Sequence, residues 1–272
     1  MKPKYQSRAL ISFEGKCPMN CKHCYTYDLD LQADNWDINS VVKKLEHQPC
    51  DIIYVSQRYE NFCDENRGYL LCNELYNKYR KDIFIITRSY LSDDMIHKLR
   101  CLSDFMRNEG NTLYLAVSVC ANESYAITEN IELCPTPVQR LSNLQRAYEG
   151  GIKTILMLRP IFPNTIIPVA ECTSLISQSA QYIDSVVASG LIATEGILKR
   201  LQIGKNELSY LPSGDSTYLA DLKTETILYV DVEGELQEIE RQCSINNIPC
   251  FRHSMPTKVD RKSGSAGMPR PI

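Results

Sequence analysis

Three cysteines stand close together near the start of the chain, at Cys17, Cys21 and Cys24. Thiolates are soft ligands that suit zinc and iron–sulfur clusters, so this loop is the first candidate for metal chemistry. Structural zinc needs four ligands, and His23, which lies between two of the cysteines, would complete a zinc site of three Cys and one His. An iron–sulfur cubane held by only three cysteines would instead leave one iron open for a substrate or cofactor.

The composition limits the class of protein around this loop. The chain has 272 residues, of which 43% are hydrophobic and 23% charged, so a disordered, collagen-like or coiled-coil protein is excluded. A net charge of -3 gives no overall attraction to nucleic acid. No run of 18 apolar residues predicts a membrane span, and the N-terminus does not resemble an export signal. We therefore expect a cytoplasmic protein, with its 12 cysteines as free thiols or metal ligands rather than disulfides.

Short β-branched runs alternate with longer amphipathic stretches along most of the chain. The pattern predicts strands at residues 9–13, 52–56, 83–87, 113–119, 154–158 and 185–188, and helices at residues 38–47, 69–81, 93–108, 137–149 and 169–182. Strands separated by helices at this spacing indicate a parallel sheet, either open or closed into a full or partial barrel. The cysteine loop follows the first strand, at the end of the sheet where ligands of such folds bind.

The C-terminal part of the chain has a different pattern. A helix is predicted at residues 234–246 and a last strand at residues 248–252, before a basic end rich in Gly, Ser and Pro. We therefore divide the chain into a core, an extension that closes the barrel, and a flexible tail, at residues 1–200, 201–254 and 255–272.

The spacing CxxxCxxC after a first strand, with the ring-bearing His23 before the last cysteine, resembles the radical S-adenosylmethionine (SAM) enzymes. The resemblance implies one [4Fe–4S] cluster held by Cys17, Cys21 and Cys24, with SAM bound to the fourth iron. One electron from the cluster would cleave SAM to methionine and a 5′-deoxyadenosyl radical, which would abstract hydrogen from a substrate. The resemblance also implies an electron donor such as flavodoxin or ferredoxin.

Motifs at later strand ends are similar to those of the spore photoproduct lyase-like branch of this superfamily. They are a Thr-Arg-Ser strand end, a Ser strand end, an Arg-Leu helix, a Gly-Gly-Ile turn and a Pro-Ile-x-Pro strand end, at residues 87–89, 118, 140–141, 150–152 and 160–163. The similarity extends from about residue 9 to residue 188.

This resemblance gives three polar residues a role at SAM. Arg88 would meet the SAM carboxylate, Ser118 would face the ribose, and Arg140 would add a second positive contact. The structural alternatives are an ordinary helix–sheet salt bridge for each arginine and a hydroxyl bonded to backbone for the serine.

The remaining implied contacts are aromatic or apolar. Tyr25 would lie at the cluster edge, and Pro160 and Ile161 would lie under the adenine. Further tyrosines near predicted strand ends would either stack a base or be half-buried strand residues, at Tyr54, Tyr59, Tyr90, Tyr114 and Tyr125.

The sequence departs from the branch at the end of the second strand. Ser56 or Gln57 would bind the amino group of SAM, with Tyr59 as another acceptor. Photoproduct lyase has a cysteine near this turn that returns a hydrogen atom to its product. Cys63, out of register, and Cys120 are the two hydrogen-donor candidates here, and a small buried filler is the alternative for both.

A second cluster is not expected. Only Cys243 and Cys250, with His253 nearby, follow the predicted barrel, and this is too poor a ligand set for another [4Fe–4S] cluster.

The sequence thus predicts an α/β protein with a partial (β/α)6 barrel of parallel strands and a short C-terminal extension. The predicted activity is radical SAM chemistry on a nucleic acid or nucleotide, with a peptide or small metabolite as the alternative. The rivals from other classes are a structural zinc-binding module and an iron–sulfur electron carrier that does not use SAM.

Overall fold

The computed structural model of the protein describes residues 7–28, 36–56, 58–211 and 227–252. The strands in these parts are β1 (Arg8–Ile11), β2 (Ile52–Val55), β3 (Asp82–Thr87), β4 (Leu113–Ser118), β5 (Lys153–Ile161), β6 (Ser185–Gly190), β7 (Ile192–Ala193), β8 (Leu228–Tyr229) and β9 (Cys250–Arg252). Seven of them form one parallel sheet in the order β1-β2-β3-β4-β5-β6-β9, curled into a half-barrel. The predicted α/β partial barrel is therefore confirmed, and its seventh strand, β9, is the last strand predicted at residues 248–252.

Helices connect successive strands of the sheet. They are α1 (Ile38–Lys43), α2 (Glu65–Tyr79), α3 (Asp93–Asn108), α4 (Tyr125–Thr128), α5 (Pro137–Glu149), α6 (Val169–Ser179), α7 (Glu195–Leu201) and α8 (Glu233–Ile245). The helices α3 and α5 begin and end at the predicted residues. Their starts are well defined because each carries a strong N-terminal cap. The Ser92 hydroxyl accepts the Met95 N–H at 3.2 Å, and Thr136 and Gln139 form a reciprocal capping box.

Alternation of side chains along the strands gives the sheet two apolar faces. Residues such as Ile53, Ile85 and Leu115 are buried in the large core under the helices. The opposite, inner face carries a second apolar cluster of Ile52, Tyr54, Phe84, Tyr114, Ala116, Ile155, Met157 and Val187. Its aromatic rings stack, with 4.4 Å between the centroids of Tyr54 and Phe84. This layer fills the barrel interior below the carboxyl ends of the strands.

Some predicted boundaries differ from the observed ones. The helix α2 begins at Glu65, four residues earlier than predicted, because the Asp64 side chain caps it by accepting the Arg67 N–H. The helix α1 ends at Lys43, earlier than its apolar pattern indicated. The strand β5 continues three residues beyond the predicted end, to Ile161. Hydrophobic periodicity marks the middle of an element better than its ends.

The described part of the C-terminal extension adds one strand to an edge of the sheet. The strand β9 pairs in parallel with β6, as Val187 with Phe251, and α8 packs on α6. The ribbon of β7 and β8 was not predicted, because two-residue strands leave too short a pattern. The seven-residue helix α7 was not predicted either. The division at residue 200 stays a prediction, and the predicted tail at residues 255–272 lies outside the described residues. Within the described parts, no helix is long and apolar enough to cross a membrane.

We expect Glu171 to stabilise the segment that follows β4. One of its carboxylate oxygens accepts the backbone N–H groups of Asn122, Glu123 and Ser124 at 2.8–3.0 Å. Burial alone would raise the pKa of Glu171, but the hydrogen bonds from Ser124 and the backbone outweigh it and lower this pKa. The carboxylate's contribution is therefore present above the unfolded pKa of about 4.3 and is lost as the pH falls through the lower folded pKa.

The substitution Glu171→Gln should lower the free energy of unfolding at pH 7 by about 1–2 kcal/mol. This value lies around the lower limit of the range of about 1.5–3 kcal/mol for charged hydrogen bonds, because the group is partly exposed. Urea unfolding measures the effect, and its difference from wild type should narrow toward pH 3. The exposed Glu74→Gln on α2 is the matched control and should change stability by less than about 0.5 kcal/mol. An equal loss in both variants would contradict the assignment.

Candidate active site

A cavity opens above the inner aromatic layer, at the carboxyl ends of the strands. The alternation that places Phe84, Ala116 and Met157 in that layer brings the next residues of the same face, Ile86, Ser118 and Arg159, to the cavity wall. The cysteine loop forms another wall, with Cys17, Cys21, Cys24 and Tyr25 among the lining residues. The sequence thus places its metal-ligand candidates and its strand-end candidates around one space.

The cysteine loop is tied to a distant part of the chain by Arg200 on α7. Its Nε donates to the Lys22 carbonyl at 2.9 Å, and its Nη2 donates to the Cys24 carbonyl at 2.7 Å. The same guanidinium pairs with Asp28 at 2.6 Å. Asp28 also accepts the Thr194 hydroxyl at the start of α7, and a Cβ on Gly196 would lie 2.1 Å from its Oδ1. Glycine at this position therefore allows the carboxylate to reach the helix.

A second support comes from the segment between β4 and α5. The Thr128 carbonyl accepts the Lys22 N–H and lies 3.0 Å from His23 Nδ1. His23 is buried and packs edge-on against Phe162. Burial, followed by the charge of Arg88, lowers the pKa of His23 to about 3, so its ring is neutral at physiological pH.

The three loop cysteines favour the protonated thiol when no metal is bound. Burial raises the pKa of Cys17 to about 12 and also raises that of Cys24, while contact with Cys134 and burial raise that of Cys21. Metal binding removes thiol protons, so loading this site would release them. In the parts of the chain that the structure describes, no three Cys, His, Asp or Glu side chains are arranged to hold a single metal ion.

A buried ion group stands behind the cavity wall. Arg88 Nη1 lies 2.6 Å from Glu129 Oε1, and Arg140 Nη2 lies 2.7 Å from Glu129 Oε2. Burial alone would raise the pKa of Glu129, but the two guanidiniums hold it below its usual value. Arg88 also donates to the Arg159 carbonyl at 2.8 Å and reaches the cavity, whereas Arg140 is fully buried and bonds the Ser118 carbonyl at 2.9 Å.

The predicted cofactor residues are divided between the cavity and the surrounding core. Cavity lining includes Tyr25, Ser56, Arg88, Ser118 and Pro160. The cavity wall does not include Arg140 or Ile161, both of which are buried behind it. The remaining candidate, Gln57, lies outside the described residues.

Neither hydrogen-donor candidate lines the cavity. Cys63 is exposed beside Tyr59. Cys120 is fully buried, with its sulfur 3.2 Å from Arg88 Nη2 and 3.1 Å from the Arg159 carbonyl.

Several cavity residues escaped sequence reasoning. Glu60 is buried at the wall, where it accepts the Thr87 hydroxyl at 2.9 Å and the Arg88 N–H at 2.6 Å. Its pKa is raised by burial. Arg58 and Arg159 bring two further guanidiniums to the lining. The carboxyl ends of the predicted strands would have indicated Glu60 and Arg159 as polar candidates.

Comparison with known proteins gives matches among solved structures. No protein-family model matches the sequence, and no curated protein is a significant relative. A spore photoproduct lyase mutant with bound AdoMet and dinucleoside spore photoproduct aligns with a TM-score of 0.61 and 12% identity, over 87% of this chain and 72% of that chain. Spore photoproduct lyase complexed with the dinucleoside spore photoproduct aligns with a TM-score of 0.60 and 12% identity, over 86% and 71%.

A third structure extends the comparison. Streptococcus suis SuiB bound to S-adenosylmethionine aligns with a TM-score of 0.55 and 12% identity, over 92% of this chain and 51% of that chain. At such identities the alignments show a shared fold. The predicted resemblance to the spore photoproduct lyase-like branch is therefore confirmed in the fold.

We expect Arg200→Ala to loosen the cysteine loop. The change removes a guanidinium that binds three groups, namely the Lys22 and Cys24 carbonyls and the Asp28 carboxylate. A single charged hydrogen bond contributes about 1.5–3 kcal/mol to stability. Amide hydrogen exchange at residues 21–28, followed by mass spectrometry, should accelerate by roughly tenfold or more, since about 1.4 kcal/mol corresponds to tenfold. The matched control is Arg241→Ala, which removes an exposed arginine paired within its own helix. If amide exchange at residues 21–28 is equally slow in both variants, the proposal that Arg200 holds the cysteine loop in place is contradicted.

Proposed function

We propose, from a fold shared with spore photoproduct lyase, that this protein is a radical SAM enzyme. One [4Fe–4S] cluster would be held by Cys17, Cys21 and Cys24, and SAM would occupy the adjoining cavity. The observation that carries the proposal is that these three cysteines and the polar strand ends line one cavity. When bound, the cluster supplies the electron that cleaves SAM to methionine and the 5′-deoxyadenosyl radical that abstracts hydrogen.

The donor set fits an iron–sulfur cluster better than a zinc ion. Four ligands must converge on one zinc ion, and the described residues offer no such group. A cluster spreads its thiolate ligands over separate irons, which suits three cysteines spaced around a cavity wall. These features favour the enzyme over the zinc module.

The residues around the cavity support a binding site for SAM. Arg88 reaches the cavity as part of a group in which two guanidiniums face the carboxylate of Glu129, and its guanidinium would attract the SAM carboxylate. We propose Ser118 for the ribose and Ser56 for the amino group, because both line the cavity. Tyr25 would lie at the cluster edge and Pro160 beneath the adenine.

Arg140 enters the proposal as a positioning residue. Its guanidinium is fully buried against Glu129 and the Ser118 carbonyl, so it would act on SAM through these two neighbours. Ile161, buried next to Pro160, would likewise support the adenine contact from behind. Neither Cys63 nor Cys120 lines the cavity, so no contact seen in the structure supports a hydrogen-donor role for either cysteine. Both roles stay predictions.

For the substrate we propose a nucleic acid or nucleotide, with a peptide or small metabolite as the alternative. The matched structures of spore photoproduct lyase contain a dinucleoside photoproduct. Arg58 and Arg159 at the cavity wall would favour an anionic group such as a phosphate. Of the tyrosines predicted to stack a base, Tyr54 and Tyr114 belong to the buried inner layer. Tyr59 lines the cavity. A flavodoxin or ferredoxin as electron donor and a cytoplasmic location stay predictions.

We predict that the anaerobically reconstituted, dithionite-reduced protein converts SAM to 5′-deoxyadenosine and methionine. Chromatography of the quenched reaction measures both products, and slow formation without substrate counts as activity. Cys24→Ala should abolish the reaction because it removes one of only three proposed ligands. The matched control, Cys72→Ala, alters a buried cysteine in the main core and should retain the activity. A cluster-loaded wild type that forms no 5′-deoxyadenosine above the Cys24→Ala background would contradict the proposed function.

A further inference from the structure

A fourth cysteine lies against the proposed cluster ligands. Cys134, in the segment between α4 and α5, places its sulfur 3.7 Å from the sulfur of Cys21 and 3.3 Å from the Met19 carbonyl. Cys134 and Cys21 are 5% and 6% exposed, and with Met19 they form a small apolar cluster separate from the main core. The two cysteines are 113 residues apart in the sequence, so spacing gave no indication of this pair.

The position of Cys134 is fixed relative to the loop. Its backbone N–H bonds the Asn130 carbonyl at 2.8 Å, which closes a turn at this end of the segment. Earlier in the same segment, the Thr128 carbonyl accepts the Lys22 N–H at 3.0 Å. The segment is therefore anchored to the cysteine loop beside Cys21, and the contact between the two sulfurs follows from this anchoring.

The geometry suits a hydrogen bond better than a fourth ligand. Ligands of a cubane bind separate irons and point away from one another, whereas these two sulfurs are in direct contact. A fourth cysteine ligand would also occupy the iron that SAM needs. A thiol is a weak donor with a single proton, for which the Met19 carbonyl at 3.3 Å and the sulfur of Cys21 compete. A ligand thiolate at Cys21 carries full or partial negative charge and is therefore the stronger acceptor of the two.

We infer that Cys134 donates its S–H to the Cys21 thiolate and thereby raises the reduction potential of the proposed cluster. The inference rests on the proposed function, because it requires Cys21 to be a cluster ligand. Reduction adds one negative charge, part of which falls on the ligand sulfurs, so a donor to one of them stabilises the reduced form. The buried, apolar surroundings of the pair strengthen this effect.

The test is a redox titration of the reconstituted protein, without SAM, followed by EPR of the reduced cluster. Cys134→Ala and Cys134→Val both remove the donor, and the valine keeps the space filled if the alanine variant does not fold. Both should retain the iron and sulfide content of the wild type while the midpoint potential shifts to a more negative value. Cys134→Ser keeps a donor and should restore most of the shift. The control Cys72→Ala should have the wild-type potential.

Three other results would overturn the inference in distinguishable ways. Wild-type potentials in the alanine and valine variants would exclude the hydrogen bond while leaving the proposed function intact. Loss of one iron per cluster in these variants would make Cys134 a fourth ligand and contradict the open iron site. A wild-type protein that assembles no cluster would overturn the proposed function, and this inference with it.

Discussion

The buried carboxylate of Glu129 connects most of the parts that make up the site. Its two oxygens bind Arg88 at the end of β3 and Arg140 on α5. These arginines in turn bind the carbonyls of Arg159 in β5 and Ser118 in β4. A carboxylate fully removed from water is very unfavourable unless it is paired, and the two guanidiniums lower the pKa of Glu129 and keep it ionised. Three neighbouring strand ends are thereby held in one arrangement around the cavity.

The same segment connects this ion group to the cysteine loop. Glu129 follows Thr128, whose carbonyl binds the loop, and precedes Cys134, which contacts Cys21. On the other side, Arg200 holds the Lys22 and Cys24 carbonyls from α7. The loop has little regular structure of its own, so contacts from both directions must define its shape. The guanidiniums of Arg58, Arg88 and Arg159 line the cavity with the single carboxylate of Glu60, and this excess of positive charge suits a loop that would carry three thiolates and an anionic cluster.

The sequence predicted the features that depend on local pattern. Alternating β-branched and amphipathic runs were enough for the parallel sheet, and the caps at Ser92 and Thr136 mark helices whose limits agree with the structure. The period of two along strands also explains why Ser118 reaches the cavity. Boundaries such as that of α2 were missed because a side-chain cap at Asp64 extends the helix beyond its apolar face.

Features that depend on contacts between distant parts of the chain could not be predicted from local sequence patterns. Nothing in the spacing of the sequence marks Cys134 or Arg200 as a neighbour of the loop, because each meets the loop across more than 100 residues of sequence. Arg140 was expected at the cofactor, but the nearby Glu129 binds it inside the core. A single sequence carries no signal for such pairings, since they follow from how the elements pack and not from spacing.

The EPR spectrum of the reduced protein, recorded with and without SAM after anaerobic reconstitution with iron and sulfide, tests the central claim most directly. A cluster with one open iron should give a [4Fe–4S]+ signal whose shape changes when SAM is added, because SAM then binds that iron. A cluster signal that is indifferent to saturating SAM would indicate an electron carrier. A protein that takes up only zinc would indicate a structural module, and either result would contradict the account.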